Sequence, residues 1–390
     1  MTERTDLFGF AESLTAAETE KLAGLRALLE ERARPHLARW WEDATCPEHL
    51  RAEMAALRLE DDPALLTADG APRPVYIGFR HFELARFDMS IGTLYGGQVG
   101  MFRTLVREGG SPEQIERWDP RIPSFELTGC FALTEPAHGS DIAGGLETTA
   151  VRVGDSWRIS GRKRWIGNAA ISDVLVVVAR DEVDGSAKAF VVPRTSDGVT
   201  VTDISGKIAL RMVRNGDIVL DDVVVPEHDR LQRIDSFRDL SRILADLRFV
   251  VAWNAAGLQA GAYEAALRYT LAREQFGRPV AGFQLVQEKL TRMLGNATAT
   301  LAMAMRLTER RASGAAEDAH AALVKTWAAD RARETVALAR EVCGAEGIRV
   351  DTDVARFFAD AEALYTFEGT HEINSLIVGR AITGLSAFTR

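Results

Sequence analysis

The sequence predicts an α+β protein that is mostly α, with a helical segment, a β segment and a second helical segment in that order. Residues 1–127 and 237–390 carry apolar residues at helical spacing, whereas residues 128–236 carry short apolar runs that end at charges or proline. Strand and helix signals do not alternate, which disfavours a doubly wound dinucleotide-binding fold. Neither a GxGxxG motif after a strand nor a GxxxxGK(S/T) motif occurs, which agrees with that exclusion.

The N-terminal segment contains the signature of a helix start. Thr15 and Glu18 have the spacing of a capping box, and Leu22, Leu25 and Leu29 after them share one helix face. Breaks at "RWWEDATCP" and "EDDPALLTADGAPRP" come before a second apolar stretch, whose glycines allow close packing of backbones. We therefore expect a helical domain over residues 1–127.

The central segment has the signals of a β domain over residues 128–236. "WRISGRKRW" alternates apolar and polar residues around Gly161, which predicts a hairpin there. "NGDIVLDDVVVP" begins at Asn215–Gly216, a strong signal for a two-residue hairpin. Trp165 closes one of these runs, where its ring could be part of the core or a stacking wall for a flat ligand.

The C-terminal segment, residues 237–390, is predicted to be a helical bundle. A long pattern with Phe249, Trp253 and Ala260 at helical spacing is apolar nearly all round in its first turns, which indicates burial inside a bundle. Further helical patterns cover residues 317–343 and 371–383. "REQFGRPVAGFQ" joins two helices, and "VCGAEG" has the glycines that end one.

The overall composition restricts the class of protein. The net charge is −9, from 47 basic and 56 acidic residues, which disfavours nucleic-acid binding and docking on an anionic membrane. The charged start "MTERTDLFGF" lacks the apolar core of a secretory signal. The three cysteines are far apart and odd in number, which suits a reducing cytoplasm. "HEIN" lacks the second histidine of HExxH, so we expect no metal site.

Several polar segments could carry chemistry, although each one has a simpler structural interpretation. "CFALTEPAHGSDIAG" (130–144) is a turn rich in Asp, Ser and Gly, or a loop whose hydroxyl and N–H groups bind a phosphate or a ring edge. "SGRK" matches the SxxK of serine–lysine acylases, but it falls in a turn and not on a helix. Arg273 is an anion ligand or a surface charge. Glu368 in "YTFEGTHEI" is most simply a solvated acid in a helix–helix turn.

Taken together and in order, "TEPAHGSD", "KRWIGN", "REQFGRPVAGFQ" and "YTFEGTHEINSLIVGRAITG" resemble the acyl-CoA dehydrogenase and oxidase family of FAD flavoproteins. The resemblance runs from about Phe82 to Thr389 and is most specific from Gly129 onward. It is closest to the glutaryl-CoA dehydrogenase branch, while "GKIALRMVRNGDIVLDDVVVPEHDRL" is similar to the peroxisomal short-chain acyl-CoA oxidases of plants. The implied fold is an N-terminal helical domain, a central β-barrel-like domain and a C-terminal four-helix bundle.

The resemblance implies FAD-dependent conversion of a short- or medium-chain acyl-CoA to trans-2-enoyl-CoA, with Glu368 as the base for the α-proton and flavin N5 as the hydride acceptor. The implied FAD contacts are Phe131, Leu133, Thr134, Ser140, Trp165, Ile166, Gly167, Thr370 and Glu372, together with Arg273, Phe276, Gln284, Glu341, Gly344 and Ala345 from a neighbouring subunit. The implied substrate contacts are Ser140, Arg248 and Gly369. The implied partners are an electron-transfer flavoprotein and further copies of the chain, as a dimer of dimers.

The implied reaction explains the residue types next to Glu368. The α-proton of a thioester is weakly acidic, so its base needs a dry setting that raises its pKa. Tyr365 and Phe367 could supply an apolar wall, Gly369 could let the substrate approach, and Thr370 has the position of a helix N-cap. Desolvation raises the pKa of Glu368 and a helix N-terminus lowers it, and the sequence leaves the outcome open.

Some positions depart from the family pattern. Gly167 stands where most relatives have a threonine that bonds flavin N5, and Phe367 replaces the usual tyrosine before the base. "GAEG" replaces "GGNG", which weakens the implied role of Ala345. Gly92 stands where glutaryl-specific enzymes carry an arginine, which disfavours a dicarboxylic substrate.

Two other functions compete with the dehydrogenase. Gly167 and the plant-like segment favour an acyl-CoA oxidase that reduces O2 to H2O2. A flavin-bearing DNA-binding or scaffold protein is disfavoured by the net charge of −9 and by the presence of Glu368. The sequence leaves chain length, branching and the choice between CoA and carrier-protein thioesters open.

Overall fold

The computed structural model describes residues 5–387 and begins with a helical layer. Its α-helices are α1 (Ala16–Leu28), α2 (Leu37–Glu42), α3 (Leu50–Ala56), α4 (Pro74–Phe87), α5 (Met89–Tyr95), α6 (Arg103–Gly109) and α7 (Pro112–Trp118). A π-helical turn, Gly96–Phe102, joins α5 to α6. The predicted capping box of α1 is confirmed, because Thr15 Oγ1 accepts from the Glu18 N–H at 3.3 Å and the Glu18 carboxylate accepts from the Thr15 N–H at 2.8 Å.

The described residues in the middle of the chain form a curled, seven-stranded sheet. Its strands are β1 (Gly129–Ala132), β2 (Thr149–Val153), β3 (Ser156–Ile166), β4 (Val174–Asp181), β5 (Ala187–Pro193), β6 (Val199–Asp203) and β7 (Gly216–Pro226), and a short helix, α8 (Ile142–Gly145), follows β1. The strand order is β1-β4-β2-β3-β7-β6, with β5 also paired to β4. β1 and β2 pair with β4 in parallel, and the other pairs are antiparallel.

Two hairpins predicted for this sheet are wrong. Gly161 lies inside the continuous strand β3, at a shift in its register with β7, and has a φ of +153°. A Cβ at this position would lie 2.4 Å from Thr148 Oγ1, so close approach and not a turn requires the glycine. Asn215 and Gly216 form no two-residue turn, because β7 begins at Gly216 and pairs with β6 across a longer loop.

The C-terminal part consists of long helices that form the predicted bundle. They are α9 (Phe237–Ala272), α10 (Gln284–Ala312), α11 (Asp318–Val342), α12 (Val354–Thr366) and α13 (His371–Thr383), with a small hairpin of β8 (Glu274–Gln275) and β9 (Arg278–Pro279) after α9. α9 packs against α10, α11 and α12, so the four-helix bundle and the fold class are confirmed. Within residues 5–387, no helix is long and apolar enough to cross a bilayer.

Glycines allow α4 to lie directly against α9 and so join the N-terminal layer to the bundle. A Cβ at Gly257 of α9 would lie 2.3 Å from the carbonyl oxygen of Phe82, and a Cβ at Gly78 of α4 would overlap the indole of Trp253. That indole is fully buried, and its Nε1 donates to Thr308 Oγ1 at 3.1 Å. The contact is therefore tight on both sides, with little room for an added methyl group.

We expect Gly257→Ala to lower the stability of the protein by about 1–3 kcal/mol, because the new methyl group meets backbone that can move only together with α4. Gly24→Ala is the matched control: Gly24 is also helical, but its nearest neighbour, Leu57 Cδ2, is 3.7 Å from the added Cβ. That control should be neutral or more stable, by up to about 1 kcal/mol. Thermal unfolding of both variants tests this, and equal midpoints would contradict it.

Candidate active site

Glu368 lies on the short turn between α12 and α13. Glu368 has a φ of +56° and Gly369 a φ of +84°, so two successive residues adopt the left-handed conformation. For a residue with a Cβ, this conformation costs on the order of 1–3 kcal/mol and persists only where the surroundings enforce it. The turn therefore points to contacts that hold the Glu368 backbone in place.

The start of α13 supplies some of these contacts. Thr370 is the predicted N-cap and is confirmed as such, since its side chain accepts from the Ile373 N–H at 3.3 Å. The fully buried Asn374 donates through Nδ2 to the carbonyl oxygens of Gly369 and Thr370, at 2.9 Å each. The C-terminal side of the turn is thus fixed to the first turn of α13.

Lys325, a fully buried residue of α11, holds the other side of the turn. Its ammonium group donates to the carbonyl oxygens of Phe367 at 2.6 Å, of Tyr365 at 3.4 Å and of Gly369. Sequence reasoning missed this residue, although a lysine inside the apolar pattern "AALVKTWAAD" was a signal for a buried cation.

Arg248 on α9 is a second cation beside Glu368. Its side chain is largely buried and forms an ion pair with Asp318 at the start of α11. Arg248 still lies close enough to Glu368 to stabilise the carboxylate electrostatically. The arginine predicted to contact the substrate therefore lies near the predicted base.

Burial decides the protonation behaviour of this cluster. Desolvation raises the pKa of Glu368 above its ordinary value, and the nearby charges of Arg248 and Lys325 only partly oppose that effect. Desolvation also lowers the pKa of Lys325 to about 8. For this carboxylate, the raising effect of desolvation on the pKa is thus larger than the lowering effect of the two cations.

The aromatic residues before Glu368 do not act as one wall. The Tyr365 ring stacks on His371, with the ring centres 4.9 Å apart and the planes 8° apart, and the Arg333 guanidinium lies 4.5 Å from the Tyr365 ring centre. Phe367 is the ring that packs against the core of the bundle. Phe367 is therefore the better candidate for drying the carboxylate.

A buried ion pair fixes the loop after β1. Lys163 Nζ lies 2.7 Å from Glu135 Oε1 and also donates to the Leu133 carbonyl oxygen at 3.1 Å. The Glu135 carboxylate further accepts from the N–H groups of Glu147 and Thr148, at 2.7 and 2.9 Å. Both charged side chains are shielded from solvent, so the loop that carries the predicted contacts of "TEPAHGSD" is anchored to β3.

Next to that loop, Trp165 is unusually open for a tryptophan. It has a φ of +63° at the end of β3 and is 52% exposed, so it is not a core residue. Gly167 leaves space beside it, since a Cβ there would meet no heavy atom closer than 3.9 Å. The Ile166 side chain is buried in the sheet core, so this predicted ligand residue can offer only its backbone. The arrangement leaves a flat apolar face available to a ligand.

A separate open cavity of about 580 Å³, lined by both polar and apolar groups, lies where α9 ends and α11 ends. Arg273, Gly344 and Ala345, three of the residues predicted to serve a neighbouring subunit's cofactor, line it. Gly344 has a φ of +58°, which suits a backbone exposed to a ligand. The structure thus brings residues about 70 positions apart into one cavity, whose charged lining residues are Arg273 and Glu346.

The remaining predicted site residues lie on open surface or at its edge. Phe276 is 94% exposed on the β8–β9 hairpin. Ser140, Gln284 and Glu372 are exposed, and Glu341 is exposed and paired with Lys289 at 2.6 Å. Of the other predicted flavin contacts, Phe131 and Thr134 are partly buried and Leu133 is buried.

A carboxylate whose pKa is raised by desolvation, with two cations nearby, is an arrangement typical of a general base in an enzyme. Three family models match the chain in order: the acyl-CoA dehydrogenase N-terminal domain over residues 15–126, the middle domain over 130–223 and the C-terminal domain over 237–383. The chain belongs to the acyl-CoA dehydrogenase family.

Individual relatives agree with this assignment. The chain is 32% identical over 311 residues to cyclohex-1-ene-1-carbonyl-CoA dehydrogenase of Geobacter metallireducens, which covers 77% of this chain and 80% of the relative. A glutaryl-CoA dehydrogenase structure from Mycobacterium smegmatis is 36% identical with a TM-score of 0.92, covering 98% of this chain and 99% of that one. A second structure from that organism, in complex with FADH2, is 29% identical with a TM-score of 0.93 and full coverage of both chains.

We expect Lys163→Met to destabilise the protein by about 3–5 kcal/mol, because Glu135 would remain buried without its counter-charge. The neighbouring Arg164→Met is the matched control. Arg164 pairs with Asp217 at 3.0 Å, but both side chains are more than a third exposed, so its loss should change stability by about 0–1 kcal/mol. Denaturant unfolding at pH 7 measures both, and equal losses would contradict the assigned role of the buried pair.

Proposed function

We propose that this enzyme converts a short- or medium-chain acyl-CoA to trans-2-enoyl-CoA with FAD as cofactor and Glu368 as the base that takes the α-proton. The observation that carries the proposal is the state of Glu368, whose pKa is raised by desolvation while its backbone is fixed on a strained turn. Membership of the acyl-CoA dehydrogenase family supports the reaction class.

FAD fits the residues present. The half-exposed face of Trp165 suits the isoalloxazine ring, and the open space at Gly167 lets a flat group approach the chain. Arg273 and the left-handed Gly344 suit the pyrophosphate of a cofactor bound by a neighbouring copy of the chain. When bound, FAD supplies the acceptor for the hydride that leaves the β-carbon.

The protein's own contribution is proton transfer. As the α C–H bond breaks, a Glu368 carboxylate oxygen takes the proton and the electron pair goes to the forming double bond. Arg248 and Lys325 stabilise the carboxylate before transfer, while desolvation favours the neutral acid formed after it. The raised pKa of Glu368 is closer to neutral pH, and a general base is most effective when its pKa lies near the pH at which the enzyme works. A Cβ at Gly369 would lie 3.0 Å from Asn374 Nδ2, so the structure explains this glycine by its φ of +84° rather than by room for the thioester.

The position of Gly92 in the fold does not support using this residue as an argument against a dicarboxylic substrate. Gly92 is buried, and a Cβ there would lie 3.3 Å from the backbone nitrogen of Ala85. A side chain at this position would therefore point at α4. The partly exposed face of this region carries Thr93, Gly96 and Gly97 instead. These small residues are compatible with a short or medium acyl chain.

Two partners complete the proposal. Reduced cofactor must be reoxidised, and we assign this to an electron-transfer flavoprotein. Further copies of the chain, as a dimer of dimers, would cover the apolar side chains exposed beside the cavity, since Phe276 is 94% and Leu285 79% exposed.

An acyl-CoA oxidase is the second candidate function. The observation that favours it is Gly167, which offers no hydroxyl group to the cofactor and leaves open space at this position. Such a site could admit O2 to the reduced flavin, which would then yield H2O2 in place of electron transfer to a protein.

We expect Glu368→Gln to reduce anaerobic flavin bleaching by butyryl-CoA or hexanoyl-CoA by at least about 10²–10⁴-fold, because the amide cannot accept the α-proton. Glu362→Gln is the control, since this residue of α12, the helix before the turn, is in an exposed pair with Arg333. Stopped-flow absorbance gives both rates. A near-normal rate for Glu368→Gln would rule out the assigned base.

The dehydrogenase proposal also predicts little H2O2 during turnover. With an artificial dye as electron acceptor, acyl-CoA oxidation should proceed much faster than peroxide appears under air without dye. A coupled peroxidase assay beside dye reduction measures the two rates in the same preparation. Peroxide formation at a rate that matches dye reduction would establish the oxidase instead.

A further inference from the structure

We infer that Lys325 is the positioning residue of this active site: its ammonium group draws together three carbonyl groups around Glu368 and so sets the strained turn that aims the carboxylate. The inference rests on the proposed role of Glu368 as the base. It assigns to a residue of α11 the task of shaping the loop between α12 and α13.

The geometry supports this role. Lys325 is 1% exposed, and its partners are the carbonyl oxygens of Tyr365, Phe367 and Gly369. Tyr365 and Phe367 come before Glu368, and Gly369 follows it. A single nitrogen atom therefore binds the main chain on both sides of Glu368. The carbonyls near the end of α12 lack partners within that helix, and a cation at a helix C-terminus is favourable.

The choice of lysine is informative because no ion pair among residues 5–387 includes Lys325. Its hydrogen-bond partners there are three main-chain carbonyl groups. A buried cation without a counter-ion is costly unless it is fully hydrogen-bonded. An ammonium group has three donors, which match the three carbonyl oxygens.

Charged groups from several elements face Lys325 and determine its electrostatic effect. Glu368 on the turn and Glu372 on α13 favour its charged form, and Arg248 on α9 opposes it. His371 and Asp330 form a separate contact at 3.8 Å beside the turn. Since Lys325 lowers the pKa of Glu368, removing its charge should raise that pKa further.

The test uses Lys325→Met in the FAD-loaded protein, with two independent measurements. Hydrogen exchange of the amides of residues 366–370 should become at least 10-fold faster than in the parent, because the carbonyl groups lose their common donor. Flavin bleaching by butyryl-CoA should slow by about 10²-fold, as expected for a misplaced base, with little change in KM. In the pH profile of the bleaching rate, the acid limb should move to higher pH, because Glu368 without the lysine charge binds its proton more tightly.

Lys325→Arg separates charge from shape. It keeps the positive charge, so the acid limb should stay close to that of the parent. A planar guanidinium cannot converge on three carbonyl groups as a compact ammonium does, so exchange at the turn should still rise. This variant also tests the inference if Lys325→Met does not fold.

Lys207→Met is the matched control. Lys207 also has a pKa of about 8 through desolvation, and its Nζ donates to the carbonyl oxygens of Leu210 and Val213 at 2.9 and 2.7 Å. Its loss should loosen its own loop without moving the acid limb. Lys325 variants whose turn stays as protected as in the parent would overturn the inference, as would an acid limb that moves equally in Lys207→Met.

Failure of the proposed function gives a different result. If the parent protein shows no bleaching with any acyl-CoA, the function proposal fails, whereas hydrogen exchange still reports whether Lys325 holds the turn. If bleaching is normal in the parent and in Lys325→Met alike, the function stands and the positioning role of Lys325 is wrong.

Discussion

The structure depends on one constraint: Glu368 is held partly shielded from water, with its backbone in an unfavourable conformation. Four helices contribute to it: α12 ends at the turn, α13 begins there, α9 provides Arg248 and α11 provides Lys325. Each added cation stabilises the ionised form, and burial stabilises the neutral one. Because these opposing influences come from separate helices, the bundle must pack precisely for the balance to hold.

In the central sheet, too, a buried lysine holds an irregular loop in place. Lys163 and Glu135 are both shielded from solvent, and together they hold main-chain groups of the loop after β1. In both places a buried lysine orders an irregular segment that regular hydrogen bonding cannot satisfy. Such charges add little net stability, but they select one loop conformation over others. Here the ordered segments are the ones proposed to contact the cofactor and the substrate.

The sequence predicts what depends on neighbouring residues and fails where distant ones meet. The capping box at Thr15, the N-cap at Thr370 and the order of helical and β segments follow from local patterns, and all are confirmed. The contact of Lys325 with the turn joins separate helices, so periodicity could show that the lysine is buried but not which groups it meets. The hairpin predicted at Gly161 was wrong for a related reason. A glycine is required there because Thr148, on another segment, lies too close for a side chain.

The length of α9 sets the distance between Glu368 and the cavity at the C-terminal end of that helix. Its 36 residues form a continuous rod, and Arg248, a third of the way along it, is about 37 Å from Arg273 at its C-terminal end, at the rise of an α-helix. Arg248 lies near Glu368, whereas the C-terminal end of α9 opens into the cavity lined by Arg273 and Gly344. A dinucleotide whose ring lies beside Glu368 cannot extend over such a distance to the cavity of the same chain. This spacing agrees with the proposed assembly, in which the cavity would serve a cofactor bound mainly by another copy of the chain.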